Sequence, residues 1–262
     1  MNPEMSLAQN VDKLFFGKNA VLRDEYNRLF ASVFVNPDMV KNIVQLLYTR
    51  NAGFTRKEIV EKLEITDGGR LSSNLNALIS SDFIMKYVPF GYGKREEHYK
   101  LVDPFCIFYL HFIWKQKKIS EKFWQQNTTS APVSIWRGFA FENVCFNHIE
   151  QIKRSLGISG VITETSAWSK KEDDTEGAQI DLLICRNDNV INMCEIKYYS
   201  GEFRVTKSYY EKILRRQAIL AERISPKFAI HSTLITTFGL NYNEYRSAFS
   251  NVIVLDDLFD NV

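Results

Sequence analysis

The stretch Gln179-Ile-Asp-Leu-Leu-Ile-Cys, then Arg-Asn-Asp-Asn, then Val190-Ile-Asn-Met-Cys-Glu-Ile-Lys197 decides how the second half of this chain is read. It is two apolar runs of strand length joined by a tight polar turn. Side chains alternate faces along a strand, so Glu195 and Lys197 point the same way with Ile196 buried between them. Pairing the strands antiparallel about Arg186–Asn189 brings Asp181, near the start of the first strand, beside that pair. Two carboxylates and an ammonium then converge at the end of an otherwise apolar hairpin. Ionised groups are costly there unless they pair or hold a metal. The chemistry that suits this set is phosphodiester hydrolysis dependent on Mg²⁺ or Mn²⁺.

Composition bounds the setting. A chain of 262 residues can bury a real core, and its 45% hydrophobic and 24% charged content is that of an ordinary globular protein. A net charge of +2 does not by itself argue for nucleic acid, so any basic surface must be local. Cys106, Cys145, Cys185 and Cys194 show no CxxC spacing and sit in apolar runs, which reads as buried free thiols rather than disulfides or a zinc site. His98, His111, His148 and His231 are equally scattered, against a histidine metal site. No signal peptide precedes Val11 and no apolar run approaches the ~18 residues of a membrane helix, so the expected setting is cytoplasmic, without a membrane partner.

Outward from the hairpin, residues 133–262 read as an α/β unit with a mixed sheet. The order is a helix over Gly138–Leu156, a strand over Val161–Thr165, a charged segment at Lys170–Gly177, and the hairpin. A helix over Thr206–Ile224 and strands over Phe228–Thr236 and Val252–Leu255 follow. Residues 103–132 read as an aromatic-rich helical connector opening at Asp103-Pro104, with Asn127-Thr-Thr-Ser-Ala-Pro as the linker candidate. Residues 37–102 carry a helix after Asp38, which is placed to cap it. A capping box at Thr55-Arg-Lys-Glu opens a second helix through Leu63, and a third spans Arg70–Ser80. Strands at Phe83–Pro89 and Glu97–Val102 flank Gly91-Tyr-Gly-Lys-Arg. Three helices and a hairpin are the order of a winged helix-turn-helix. On that reading Arg70, Ser72, Ser73, Asn74 and Asn76 face outward and Lys94 and Arg95 sit on the wing. The surface contacts DNA or docks a protein. Residues 1–36 read as two amphipathic helices broken at Gly17, too short to bury their apolar faces alone.

Glu142 lies within Trp136-Arg-Gly-Phe-Ala-Phe-Glu, amid apolar neighbours. It is either an edge residue or an inward ligand; in the second case Asp181 and Glu195 hold the metal and Glu142 ligates it or orients its water. On the following helix Lys212, Arg215 and Arg216 fall within one turn and are placed to track a phosphate backbone, or form a solvated face.

A helical Glu142, then Asp181, then Glu195-x-Lys197 resembles the PD-(D/E)XK nuclease superfamily, whose core has the α-β-β-β-α-β order read above. The resemblance implies Asp181 and Glu195 as metal ligands, Lys197 as the catalytic lysine and Glu142 as the helical acid. Gly177-Ala-Gln-Ile precedes Asp181 in place of the proline-containing form, and Gln217 resembles a glutamine some members place beside the site. A wider resemblance runs from the helical pair through Tyr99-Lys-Leu-Val-Asp-Pro-Phe, Trp-Arg-Gly…Phe-Glu, Cys-Glu-Ile-Lys-Tyr, Thr236-Thr-Phe-Gly-Leu and Leu255-Asp-Asp-Leu-Phe. It is similar to the C-terminal half of prokaryotic AAA-type ATPases of the archaeal kind. That implies a fragment or truncated product, residues 1–36 as a remnant of the ATPase lid, and an ATPase domain or subunit as partner. The GxxxxGK[ST] loop is absent, so ATP hydrolysis is not expected. The resulting expectation is an Mg²⁺-dependent nuclease with a DNA-binding winged helix. Its alternative is a catalytically silent DNA-binding or protein-docking arm of the ATPase.

Overall fold

The computed structural model describes residues 1–116, 120–170 and 178–260; the charged stretch 171–177 and the side chain of Lys94 lie outside the description. The chain divides into two compact units, Met1–Lys86 with His98–Ala140, and Tyr87–Glu97 with Phe141–Val262. Among the described residues no helix is long and apolar enough to cross a membrane. The cysteines are free, and Cys106, Cys145 and Cys194 are buried.

The first unit opens with α1 (Leu7–Val11), capped by a Ser6–Gln9 box and extended by a π-helical turn over Asp12–Phe16, then α2 (Glu25–Val33). Helix α3 (Pro37–Tyr48) starts with proline at its first position, where φ is already helical and no N–H is needed. Asp38 therefore lies inside the first turn, where its charge favours the helix dipole, and does not cap as expected. Strand β1 (Phe54–Thr55) leads into α4 (Arg56–Leu63), whose Thr55–Glu58 capping box forms as read from the sequence. Helix α5 (Gly69–Ser80) and strands β2 (Ile84–Tyr87) and β3 (His98–Leu101) follow, with sheet order β1-β3-β2. Strand β1 pairs antiparallel with β3. Gly53 lets this pairing close: its φ is +72°, and a Cβ there would stand 2.0 Å from the Tyr99 carbonyl oxygen.

Helix α6 (Pro104–Phe112) is capped by Asp103, which accepts a 2.6 Å bond from the Cys106 amide. It carries the aromatic stripe into the core. Phe108 and Phe112 pack with Phe16, with Trp124 of α7 (Phe123–Asn127) and with Val133 of α8 (Ala131–Asn147). The apolar faces of α1 and α2 are covered in this way, α2 through Tyr26 and Phe30 against Tyr109 and Phe83. The linker expected at 127–132 is a short turn between α7 and α8. The first unit runs on to Ala140, because Val133 is fully buried in this aromatic cluster.

In the second unit, α8 and α9 (Ile149–Ser155) precede β4 (Thr163–Lys170), β5 (Ala178–Arg186) and β6 (Val190–Lys197). Then come α10 (Lys207–Ala221), capped by Thr206, and strands β7 (Ala229–Thr236) and β8 (Asn251–Val254). The sheet order is β4-β5-β6-β7-β8, antiparallel through β6 and parallel from β6 to β8. One face, with Ile180, Leu183, Ile191, Met193 and Leu234, packs on Ile213 and Leu220 of α10. The other, with Leu182, Ile184, Cys194 and Ile235, packs on Phe141 and Cys145 of α8 and Ile152 of α9. The α/β class and mixed sheet read from the sequence are therefore observed.

Candidate functional site

The site is built where β5, β6 and α10 meet. Leu182 pairs with Cys194 and Leu183 with Met193 across the β5–β6 hairpin. This register leaves Asn187, Asp188 and Asn189 as a three-residue turn, with Asn189 left-handed at φ +64°. One further step along the same register sets Asp181 opposite Glu195. The turn read as Arg186–Asn189 would have offset that pairing by one residue. On its other side β5 carries an irregularity: Ser166 pairs with Leu183 and Trp168 with Ile180, so Asp181 and Leu182 together face one residue of β4. A bulge of this kind re-aims side chains and is frequent beside functional sites.

Asp181, Glu195 and Lys197 meet. The Lys197 Nζ is 2.7 Å from Glu195 Oε1 and 3.4 Å from Asp181 Oδ2, and it also donates to its neighbour's Ile196 carbonyl at 3.0 Å. Asp181 Oδ2 further accepts from the Ile196 amide at 3.1 Å. Glu195 is buried, and α10 reaches it with two side chains. Tyr209 donates its hydroxyl to Oε1 at 2.5 Å, and Arg216 makes an ion pair with Oε2.

The electrostatics of the two acids differ. Burial, then the charge of Glu195, push the Asp181 carboxyl above its ordinary value; Glu142 adds to the rise and Lys197 opposes it. Burial also acts to raise Glu195, but Lys197 and Arg216 outweigh it and hold this carboxyl below the usual range. Burial acts to depress the Lys197 ammonium, and its two carboxylate neighbours reverse this and raise it. Lys197 is therefore charged at neutral pH.

Glu142, half-buried on α8, lies within electrostatic reach of Asp181. Among the described residues no three of His, Cys, Asp and Glu are disposed to hold one metal. The obstacle is at Glu195, whose oxygens are engaged by Lys197, Tyr209 and Arg216. At Asp181 the donor chemistry fits a hard divalent cation. Its carboxylate has Glu195 and Glu142 within electrostatic reach, and oxygen donors of this kind suit a hard divalent cation.

Of the residues read as nucleic-acid contacts, Arg216 is placed differently from the expectation. Its side chain is 12% exposed and serves as the counter-ion of Glu195. Tyr209, Ile213, Arg216 and Leu220 recur at helical spacing as one inward stripe of α10, a signal present in the sequence and overlooked for both Tyr209 and Arg216. Lys212 and Arg215 are exposed. Gln217 donates to the Ile230 carbonyl at 3.4 Å, tying α10 to β7 at a point before Leu234, the residue that pairs with Glu195. Asn74 is buried on α5 with Leu71, Leu75 and Leu78, so the outward orientation expected of it is corrected. Ser72 is half-buried and accepts from Arg56 at 3.0 Å, whereas Arg70, Ser73 and Asn76 are exposed. Arg95 is exposed in the segment between β2 and β3 that groups with the second unit; Lys94 begins a 3₁₀ turn there. A cavity of about 670 Å³, lined by Val88, Phe90, Glu164, Ser166 and Cys185 among others, includes none of the four site residues.

No protein-family model and no curated protein matches the chain.

Proposed function

We propose that the second unit is a PD-(D/E)XK-type module that hydrolyses phosphodiester bonds with Mg²⁺ or Mn²⁺. On this reading residues 37–102 are a winged helix that engages DNA, and the chain is the C-terminal part of an archaeal-type AAA ATPase. The observation that carries the reading is the convergence of Asp181 and Glu195 on one lysine nitrogen, at 3.4 and 2.7 Å, at the end of an otherwise apolar hairpin. The helix–strand–strand–strand–helix–strand order around it supports the fold assignment. The succession α3, α4, α5, β2, β3 supports the winged helix, with Arg70 and Arg95 among its exposed cations.

Asp181, with Glu142 in reach, would hold the cation, and Glu195 would contribute if the cation competed with Arg216 for its Oε2. A bound divalent ion supplies an activated water and neutralises charge on the phosphate. Lys197 holds its proton throughout and presents an ammonium to the charge that develops on the phosphoryl oxygens. Tyr209 fixes the orientation of Glu195 from α10, and Ile196, through its amide, fixes that of Asp181.

The test is a cleavage assay with Mg²⁺ and Mn²⁺ over single- and double-stranded DNA and RNA. Wild type cuts at least one substrate, and Lys197→Ala does not. If no substrate is cut and no metal binds at millimolar concentration, the second reading takes over: a silent DNA-binding or docking arm. One observation favours that reading. Glu195 is already neutralised by Lys197 and Arg216, the arrangement of a site that has replaced a metal by its own cations.

A further inference from the structure

At the carboxyl ends of β6 and β7 the chain presents three aromatic rings to solvent. Tyr199 is 50% exposed, Phe238 60% and Tyr242 85%. Single exposed rings are ordinary on a protein surface. These three belong together because the loops that carry them are bound to one another. Lys197 pairs with Thr236 in the parallel register, so Tyr199 and Phe238 each lie two residues beyond the same rung. The Tyr199 amide donates to Thr237 Oγ1 at 3.1 Å, and that hydroxyl donates back to the Tyr199 carbonyl. Phe203 donates its amide to the Gly239 carbonyl at 2.8 Å, and Asn241 donates to the Phe203 carbonyl at 2.9 Å. Exposed rings on a frame this well tied are preorganised, which lowers the entropy lost when something stacks on them.

The rim is also continuous with the carboxylate cluster. Tyr209, which bonds Glu195, has its ring 5.2 Å from that of Phe203, and Phe203 lies 5.8 Å edge-on to Tyr199. A chain of three rings thus leads from the buried acid to the solvent-facing edge. Cations accompany it: Arg204 is exposed beside Phe203, and the Arg246 guanidinium stands 5.7 Å from the centre of the Tyr242 ring. In open α/β sheets ligands bind outside the carboxyl ends of the strands. Here β6 and β7 run parallel, and Tyr199 and Phe238 follow their carboxyl ends.

We infer that Tyr199, Phe238 and Tyr242 form a base-stacking platform for single-stranded nucleic acid, which delivers an unpaired strand to the Asp181–Glu195–Lys197 cluster. Aromatic rings beside arginines suit unpaired bases, whose π-faces are free, and offer little to a duplex whose bases are already stacked. This inference rests on the phosphodiesterase reading only for the fate of the strand; binding stands apart from cutting.

The experiment is fluorescence anisotropy of the full chain in EDTA, so that no metal-dependent cleavage intervenes. The probes are labelled oligothymidylate, oligouridylate and a mixed-sequence duplex, each about 15 nucleotides or base pairs long, within the span one such surface covers. The duplex reports any binding by the proposed winged helix and is expected to keep its affinity in the ring variants. Tyr199→Ala and Phe238→Ala should each weaken single-strand binding about 5- to 100-fold, and Tyr199→Phe should retain it. Near-wild-type circular dichroism of these surface variants guards against misfolding. The oligothymidylate and oligouridylate arms tell DNA from RNA, and tight binding of either supports the platform. Alanine variants that bind single strands as wild type does, or that lose duplex affinity to the same extent, would overturn it. A chain that stacks single strands but never cuts keeps the platform and loses the nuclease. A chain that cuts but ignores Tyr199→Ala does the reverse.

Discussion

Asp12 in the first unit and Glu195 in the second are both buried carboxylates, each 4% exposed, and they are satisfied by opposite means. Asp12 accepts from the Trp124 amide at 2.7 Å, the Gln125 amide at 3.1 Å and the Gln125 side-chain amide at 2.9 Å. These are neutral donors, two of them orphan amides of the first turn of α7, so Asp12 acts as a helix cap supplied from a distant part of the sequence. Glu195 takes a lysine, an arginine and a phenol, with a second carboxylate beside the same lysine. The comparison separates architecture from chemistry. A buried charge matched to backbone amides has one arrangement. A cluster of acids balanced by side-chain cations is one in which a metal or a phosphate can compete for the same charges.

The largest effect that would sharpen this contrast is on catalysis. Lys197→Ala should lower the cutting rate by roughly 10²–10³ or more, the scale of removing one preorganised electrostatic group. It should leave metal binding largely intact, since an ammonium cannot ligate a cation. Asp12→Asn, assayed alongside at a temperature where it is folded, should cut as wild type does. Equal losses in the two would break the distinction.

Next in size is stability. Asp12→Ala leaves buried amides of α7 unpaired and should cost about 2–4 kcal/mol, read in urea from the fluorescence of Trp124 and its neighbours. Asp12→Asn, which keeps one acceptor, should cost less. Arg216→Gln should cost roughly 1–3 kcal/mol, because Lys197 and Tyr209 remain on Glu195. The same variant should bind Mn²⁺ more tightly than wild type, and unchanged affinity would mean that Arg216 does not compete for the acid.

The smallest effect is on pH dependence, and the two units should differ in sign. The Arg50 guanidinium, hydrogen-bonded to Glu58, with added help from Thr55, holds that carboxyl down at about 2 from its ordinary 4.5. Its folded pKa is depressed, so its stabilisation is present above the unfolded value and is lost as pH falls from 4.5 towards about 2. Asp181 is raised by burial first and by Glu195 next, so its contribution is present below the unfolded value and is lost as pH rises through the folded one. Acid titration of stability in Glu58→Gln should show a shallower loss at low pH than wild type. An identical slope would remove the Arg50–Glu58 pair from the account.

The legibility of the chain follows the same physics. Strands β5 to β8 and helix α10 were readable because alternating or helical apolar runs are bounded by Gly, Asn and Asp turns. The strand pairing that brings Asp181 beside Lys197 is legible, whereas the three-residue length of the turn is not, because it depends on Asn189 adopting a left-handed conformation, which composition alone does not decide. For Arg216 and Asn74, polarity alone predicts an outward position that the packing does not give. Each sits instead on an inward helical stripe, Tyr209-Ile213-Arg216-Leu220 and Leu71-Asn74-Leu75-Leu78 respectively. The bond from Asp12 to α7 was not legible, since it joins residues more than a hundred positions apart. The triad of Asp181, Glu195 and Lys197 was legible because an ionised group ending an apolar strand is costly and calls for a partner.

The most direct test of the central claim, that the acids around Lys197 form a cation site, is calorimetric titration of Mn²⁺ and Mg²⁺ into wild type, Asp181→Ala and Asp12→Asn. The account predicts saturable binding in wild type and Asp12→Asn, and its loss in Asp181→Ala. Absence of binding to wild type at millimolar metal, or equal binding to Asp181→Ala, would contradict it.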